Sequence, residues 1–208
     1  SAVDPNNVKK AFEYGSLLGT QISKVSDLVV LGESIPGGTT TALGVLSALG
    51  AGAEFRVSSS MPDNPHILKN RVISQGLTSA GIKRGDLKSN PFKAISILGD
   101  PMLPSISGIA AGVLGSGGKV MLAGGTQMTA VIAILKSLDQ PLDNICIGTT
   151  VYVARDQTSD LVGLTETLSE NAVPVYASNL HMEESSIDGL QAFSKGYVKD
   201  GVGAGGMS

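Results

Sequence analysis

The sequence predicts an α/β fold: a mostly parallel, Rossmann-like sheet flanked by helices on both faces. Three observations carry this. Short apolar runs at residues 28–31, 119–123, 144–148 and 173–177 alternate with longer stretches of helical periodicity, the pattern of strand–helix units. Two of these runs lead into Gly-Gly, Thr and a helix-forming segment: GESIPGGTTT at residues 32–41 and GGTQM at residues 124–128. Finally, 27 glycines with no tryptophan and only four Phe and four Tyr suit many tight strand-to-helix turns.

Taken in order, Asp4 and Pro5 open a helix over residues 8–22, whose apolar side holds Ala11, Phe12, Tyr14, Leu17 and Leu18. The run Leu28, Val29, Val30, Leu31 has no polar alternation, which predicts a strand covered on both faces. Gly37 and Gly38 then turn the chain, and Thr39 or Thr40 is expected to cap a helix that continues to Leu49 and stops at Gly50. Residues 55–59 read as a short strand. The polar loop SSSMPDNPH follows, then a helix over residues 67–77, an exposed connection at 81–91 and a close-packed helix of small residues at 103–114. The second strand, 119–123, leads to a helix ending near Leu138, and residues 144–148, 151–153 and 173–177 are read as further strands. The whole is read as a single domain over residues 1–208. In such a sheet a ligand sits at the carboxyl ends of the strands, where the glycine turns and the SNLH segment containing Ser178 fall.

Composition narrows the function. A formal net charge of -3 and the lack of any basic block argue against a nucleic-acid partner. No apolar run approaches the roughly 18 residues of a membrane span, and the N-terminus has no signal-peptide pattern. One cysteine, Cys146, rules out an internal disulfide framework and suits a reducing, cytoplasmic compartment. It reads as core packing. His66 and His181 are the only histidines, and HMEE at residues 181–184 has no recognised metal spacing, so no metal or cofactor is expected.

The turn after the first strand is neither a Walker A loop nor a G-x-G-x-x-G fingerprint. Its two glycines and helix start would favour a phosphate or carboxylate, although a purely structural turn also uses glycine and threonine. Glu33, at the start of that turn, is either a site carboxylate or a loop residue. Lys69 is either a phosphate ligand or a solvated charge. The Gly124–Gly125 turn is open to the same two readings. The C-terminal run from Lys199 to Gly206 is an acid beside four glycines, either a flexible tail or a segment that brings a carboxylate next to backbone N–H groups.

These pieces occur together and in this order in one family. GESIPGGTT at residues 32–40, the lysine helix at Lys69, GGTQMTA at residues 124–130 and the terminal DGVGAGG at residues 200–206 resemble the nicotinate-nucleotide–dimethylbenzimidazole phosphoribosyltransferases, and more closely their archaeal branch. Gly32, Glu33, Gly37, Thr39 and Thr40 coincide with the bacterial turn G-E-M-G-I-G-N-T-T or its glycine-threonine end. Asp200-Gly201-Val202-Gly203-Ala204 lies on the terminal pattern G-E-G-[ST]-G-A, with aspartate in place of the glutamate that serves as the family's general base and valine in place of Ser or Thr. The likeness covers only the later part of the family sequence; its N-terminal portion and a helical C-terminal tail have no counterpart in these residues.

The resemblance implies transfer of the 5-phosphoribosyl group of nicotinate mononucleotide to a benzimidazole-like base, with release of nicotinate, in assembly of the lower ligand of cobamides. It assigns Asp200 and Glu33 as catalytic, with Asp200 the base and Glu33 facing the charge that develops at the anomeric carbon. It assigns Gly37, Gly38, Thr39, Thr40, Lys69, Gly125, Ser178, Gly201 and Gly203 to substrate binding. It also implies a homodimer. The second reading is a nucleotide- or phosphate-binding module that performs no transfer.

Overall fold

The computed structural model describes residues 2–61, 63–197 and 202–208. Helix α1 (Pro5–Ile22) starts as the sequence predicts. The Asp4 carboxylate accepts from the N–H groups of Asn6 and Asn7 at 2.9 and 3.2 Å, and Pro5 occupies the first turn, where no N–H is needed. It lies backbone to backbone on α5 (Met102–Gly115). A Cβ on Gly15, Gly19, Gly108 or Gly112 would sit 2.6, 2.2, 2.2 or 2.0 Å from a carbonyl oxygen of the facing helix. Glycine is the only residue that allows this approach.

The strands β1 (Leu28–Gly32), β2 (Lys119–Ala123), β3 (Ile145–Thr150) and β4 (Val175–Ser178) form one parallel sheet in the order β1-β2-β3-β4. Register places Leu31, Leu122, Ile147 and Val175 in one row and Val29, Val120 and Ile145 in the next. Parallel strands in sequence order, joined by right-handed crossovers, put their connecting helices on one face. On that side α5 packs on β1 and β2, with α4 (Pro91–Leu98) and α6 (Gln127–Ser137) against α5 and with α2 (Gly38–Leu49) and α8 (Leu161–Ser169) against α6. The core lies there, with Leu43, Leu46, Ile95, Leu122, Ile132 and Ile147 fully buried.

The other face meets the short helix α10 (Val202–Gly206), which touches all four strands. The α/β fold with a parallel sheet is therefore as expected, but its two faces are unequally covered. The run at 28–31 is not buried on both sides: β1 is an edge strand, with Val29 8% exposed but Leu28 46% and Val30 36%. Cys146 lies on the same open face, half-buried next to Met121, rather than in the core. Burial pushes its thiol up.

Two expected strands are absent. Residues 54–56 form a turn, and Phe55 has φ 63, a left-handed backbone that no strand can contain. The sheet extends instead through Thr150, and Val151–Ala154 becomes a one-turn helix, α7, as the β3–β4 ladder ends at Thr150 and Ser178. Helices α4, α8 and α9 (Asp188–Ser194) were not anticipated, and neither was α10. In α4 the Asn90 side chain accepts from Lys93 N–H at 3.2 Å and Pro91 fills the first turn. In α8 the Asp160 carboxylate accepts from Gly163 N–H at 2.9 Å. The helix after the polar loop, α3 (His66–Ser79), is longer than expected, by one residue at its start and two at its end. Among the described residues, no helix is long and apolar enough to cross a membrane.

Candidate active site

The first glycine turn is built where β1 ends. Gly37, with φ 74, is the residue that caps α2, and the helix begins at Gly38. Thr39 and Thr40 are therefore inside the first turn and do not cap it, and no side chain supplies a cap bond there. Gly38 N–H donates to Ile35 O at 3.2 Å and Thr40 N–H to Gly37 O at 2.9 Å. Thr39 N–H has no acceptor among the described residues. A helix start with an unanswered N–H and a positive dipole end attracts an anion.

The turn is tied to the core from behind. Thr41 hydrogen-bonds the buried carboxylate of Asp100 through its hydroxyl. The other oxygen of Asp100 accepts from Met102 and Leu103 N–H at 2.9 and 3.1 Å. One carboxylate thus joins the starts of α2 and α5. On the cavity side, Glu33 is half-buried and its Oε2 accepts from Ile35 N–H at 3.0 Å.

A cavity of about 550 Å³ opens over these residues at the carboxyl ends of the strands, within the range of small-ligand sites. Of the residues expected at the site, Glu33, Gly37, Gly38, Thr39, Thr40, Lys69, Gly125 and Gly203 line it. Asp200 and Gly201 lie outside the described residues. Ser178 is not part of the lining. Its hydroxyl donates to the Gly205 carbonyl, with Thr149 O at 3.3 Å, because the last residue of β4 ends beneath α10.

Lys69 is not a solvated charge. It is 5% exposed on the inner side of α3, and its ammonium donates to Ser58 O at 2.5 Å and Asn64 Oδ1 at 2.9 Å. The cavity also contains residues that sequence reasoning missed: the serines 58–60, Leu68, Val72, Gln127, Val153 and Val202. Thr126, at the start of α6, holds the serine loop in place by accepting Ser58 N–H at 2.9 Å and pairing hydroxyls with Ser58 at 2.9 Å. The lining therefore combines anion-attracting groups with an apolar surface from Ile35, Leu68, Val72 and Val153. That mixture suits a ligand with both an anionic and an apolar part.

Away from this cavity, His181, Glu183 and Glu184 bring potential donor atoms within 4.8 Å of one another, all of them exposed. The local turn Met182–Glu184 creates this proximity, which linear spacing did not reveal. The Tyr152 hydroxyl hydrogen-bonds Glu183 and accepts from Met182 N–H at 2.7 Å. The hydrogen bond from Tyr152 holds the Glu183 carboxyl below its usual value.

No protein-family model matches the chain. It is similar to a set of archaeal proteins named UPF0284. It is 46% identical over 200 residues to the one from Methanothermobacter thermautotrophicus, covering 95% of this chain and 54% of that protein. It is 45% identical over 206 residues to the one from Methanocaldococcus jannaschii, covering 98% and 57%. The chain thus spans about half the length of the curated relatives it matches. Among solved structures, CobT from Thermus thermophilus superposes with a TM-score of 0.66 at 18% identity, covering 94% of this chain and 55% of that one. A second structure, described as the nicotinate-nucleotide–dimethylbenzimidazole phosphoribosyltransferase of the same organism, gives 0.62 at 18% identity, covering 85% and 51%. By fold the chain resembles these phosphoribosyltransferases, and by sequence it is similar to the archaeal UPF0284 proteins.

Proposed function

We propose that this chain carries the phosphoribosyl-binding part of an enzyme that moves the 5-phosphoribosyl group of nicotinate mononucleotide to a benzimidazole-type base, releasing nicotinate. The observation that supports it most is the single cavity that gathers the GESIPGGTT turn, Lys69 and the Gly124–Gly125 turn at one sheet edge. In this reading the 5′-phosphate is held at the start of α2, where Gly38 N–H is already given to Ile35 O and Thr39 N–H is open, and by Lys69. Glu33 faces the positive charge that develops at the anomeric carbon as nicotinate departs. Asp200 accepts the proton from the attacking base. Holding donor and acceptor in one crevice supplies the ordering that the reaction otherwise lacks.

The test is incubation with nicotinate mononucleotide and 5,6-dimethylbenzimidazole, following nicotinate. Lys69→Ala should raise KM more than it lowers kcat; an unchanged KM removes Lys69 from phosphate binding. The second reading is a phosphate- or nucleotide-binding module without transfer, supported by the helix start at Gly38 and Lys69 in the cavity lining, which would hold a phosphate whether or not transfer follows. Calorimetry with nicotinate mononucleotide separates the two, since binding without nicotinate release supports the module.

A further inference from the structure

We infer that Gln127 is a specificity-determining residue, whose amide meets a sugar hydroxyl next to the phosphate and so separates hydroxylated phosphate esters from other phosphates. This rests on the reading above for the place of the phosphate at the start of α2. Gln127 lines the cavity. It is the first residue of α6, in a stretch that is otherwise closed: every other residue from 122 to 135 is buried, and Gln127 alone is half-buried. Met128, Thr129 and Ala130, which follow it, have no exposed surface.

The side chain reaches from one glycine turn to the other. A Cβ on Gly38 would lie 3.5 Å from Gln127 Cγ and Nε2, and one on Gly125 3.4 Å from Gln127 Oε1. Its backbone is fixed, since Met128 N–H donates to Gly125 O at 3.1 Å and Thr129 Oγ1 to Thr126 O at 2.7 Å. The amide has no hydrogen-bond partner among the described residues. The neighbouring hydroxyls are committed: Ser58 Oγ pairs with Thr126 Oγ1 at 2.9 Å, and Ser59 Oγ accepts from Met61 N–H at 3.2 Å. Gln127 therefore brings a group that both donates and accepts to the cavity with its full capacity unspent.

Position and charge say what it meets. A phosphate at the Thr39 N–H lies beside Gly38, and the amide next to Gly38 is then within reach of the first carbons beyond the ester oxygen, not of the far end of the ligand. A neutral amide brings no charge for a second anion. A hydroxyl, which also donates and accepts, matches it with complementary bonds, and a sugar phosphate carries hydroxyls at that distance. An analogue that lacks the hydroxyl leaves the amide without its ligand partner, which is how a site of this kind discriminates.

The experiment is titration calorimetry on the full chain with inorganic phosphate, ribose 5-phosphate and its 2-deoxy and 3-deoxy counterparts, for wild type, Gln127→Ala and Gln127→Met. The wild-type chain should bind ribose 5-phosphate about five- to tenfold more tightly than at least one of the deoxy sugars, the scale of one hydrogen bond. In both variants that ratio should fall below about twofold, while inorganic phosphate stays within about twofold of wild type. A wild-type chain that does not separate the sugars, or variants that keep the ratio, overturn the inference. So does an equal loss for inorganic phosphate, which a phosphate ligand or a merely structural residue would give. If Gln127→Ala fails to fold, Gln127→Met, of similar length but without the amide, carries the comparison. A wild-type chain that binds none of the four overturns the inference together with the place of the phosphate. Nicotinate release is followed on the same proteins. Sugar discrimination that depends on Gln127, without transfer by the wild-type chain, keeps the inference and rejects the transfer reading. Transfer with no discrimination between the sugars does the reverse.

Discussion

Gly37 allows the glycine turn to be tested by backbone conformation alone. Its φ is 74, and nothing lies within 4 Å of where a Cβ would stand. Gly37→Ala therefore meets no clash, and its cost is that of holding an L-residue in the left-handed region, about 1–2 kcal/mol. For a domain of this size each kcal/mol lowers Tm by about 2–4 °C, so a fall of about 2–8 °C is expected in thermal denaturation. Gly37→Asn keeps a residue that tolerates this φ and is also a good helix cap, and it should melt close to wild type. Gly38→Ala provides the contrast. There the added Cβ would meet Ile35 Cγ2 at 2.7 Å and Gln127 at 3.5 Å. The first is the end of a side chain in the same turn, which can move at little cost to stability but shifts the cavity lining. Gly38→Ala should accordingly weaken phosphate in calorimetry more than it lowers Tm. If the Ala and Asn variants at position 37 lose the same stability, backbone conformation is not the reason glycine stands there.

Two other outcomes follow from the packing and charge of the fold. In Gly112→Ala the new methyl would lie 2.0 Å from Ser16 O and 2.9 Å from Thr20 N; both are backbone, so α1 and α5 must separate. A loss of about 1–3 kcal/mol is expected by chemical denaturation, whereas Gly115→Ala on the same helix, with nothing within 4 Å, should be neutral or gain up to about 1 kcal/mol. Lys136, by hydrogen bond and then by charge, holds Glu170 below the usual carboxylate value. A depressed carboxylate stabilises above its unfolded value and stops doing so as pH falls through the folded one. Glu170→Gln should thus melt slightly below wild type at pH 7 and level with it in acid; a difference that persists in acid would place its origin outside the ion pair.

Much of the fold was legible because periodicity and caps are local. The strand at 119–123 matches β2, and Asp4, Pro5 and Gly50 mark helix ends as their chemistry requires. What was lost depended on distant neighbours. Val151, Tyr152 and Val153 have strand-forming side chains, yet β3 runs out of a partner at Ser178 and the chain coils into α7. Phe55 looks like the start of a strand until its left-handed backbone is known. Conversely, the Asn90-Pro91 and Asp160 caps were present in the sequence, and α4 and α8 could have been found from them. At the site, the glycines and Lys69 announced themselves by residue type, while Ser58, Gln127 and Val153 did not. Their presence in the lining comes from the Thr126–Ser58 contact and from the end of β3, neither of which leaves a local signature.

The C-terminal glycines show why composition alone was ambiguous. A run this rich in glycine is compatible with a loose tail, but α10 uses its missing side chains for contact. A Cβ on Gly203 would lie 2.8 Å from Ala123 O, one on Gly205 2.4 Å from Thr150 Cγ2, and one on Gly206 2.2 Å from Gly148 O. Gly148 matches this from below, since its own Cβ would meet Gly206 O at 2.5 Å. The Ser178 hydroxyl, expected to bind substrate, holds the Gly205 carbonyl instead. A helix seated this close to the ends of β2 and β3 carries Val202 and Gly203 into the same cavity as Glu33 and Lys69. The cavity is therefore bounded by two glycine-rich segments from opposite ends of the chain, one turning at the end of β1 and the other lying across the sheet. Their reasons for glycine differ: a left-handed backbone at Gly37, where nothing crowds a Cβ, and close approach to the sheet at Gly203 and Gly206.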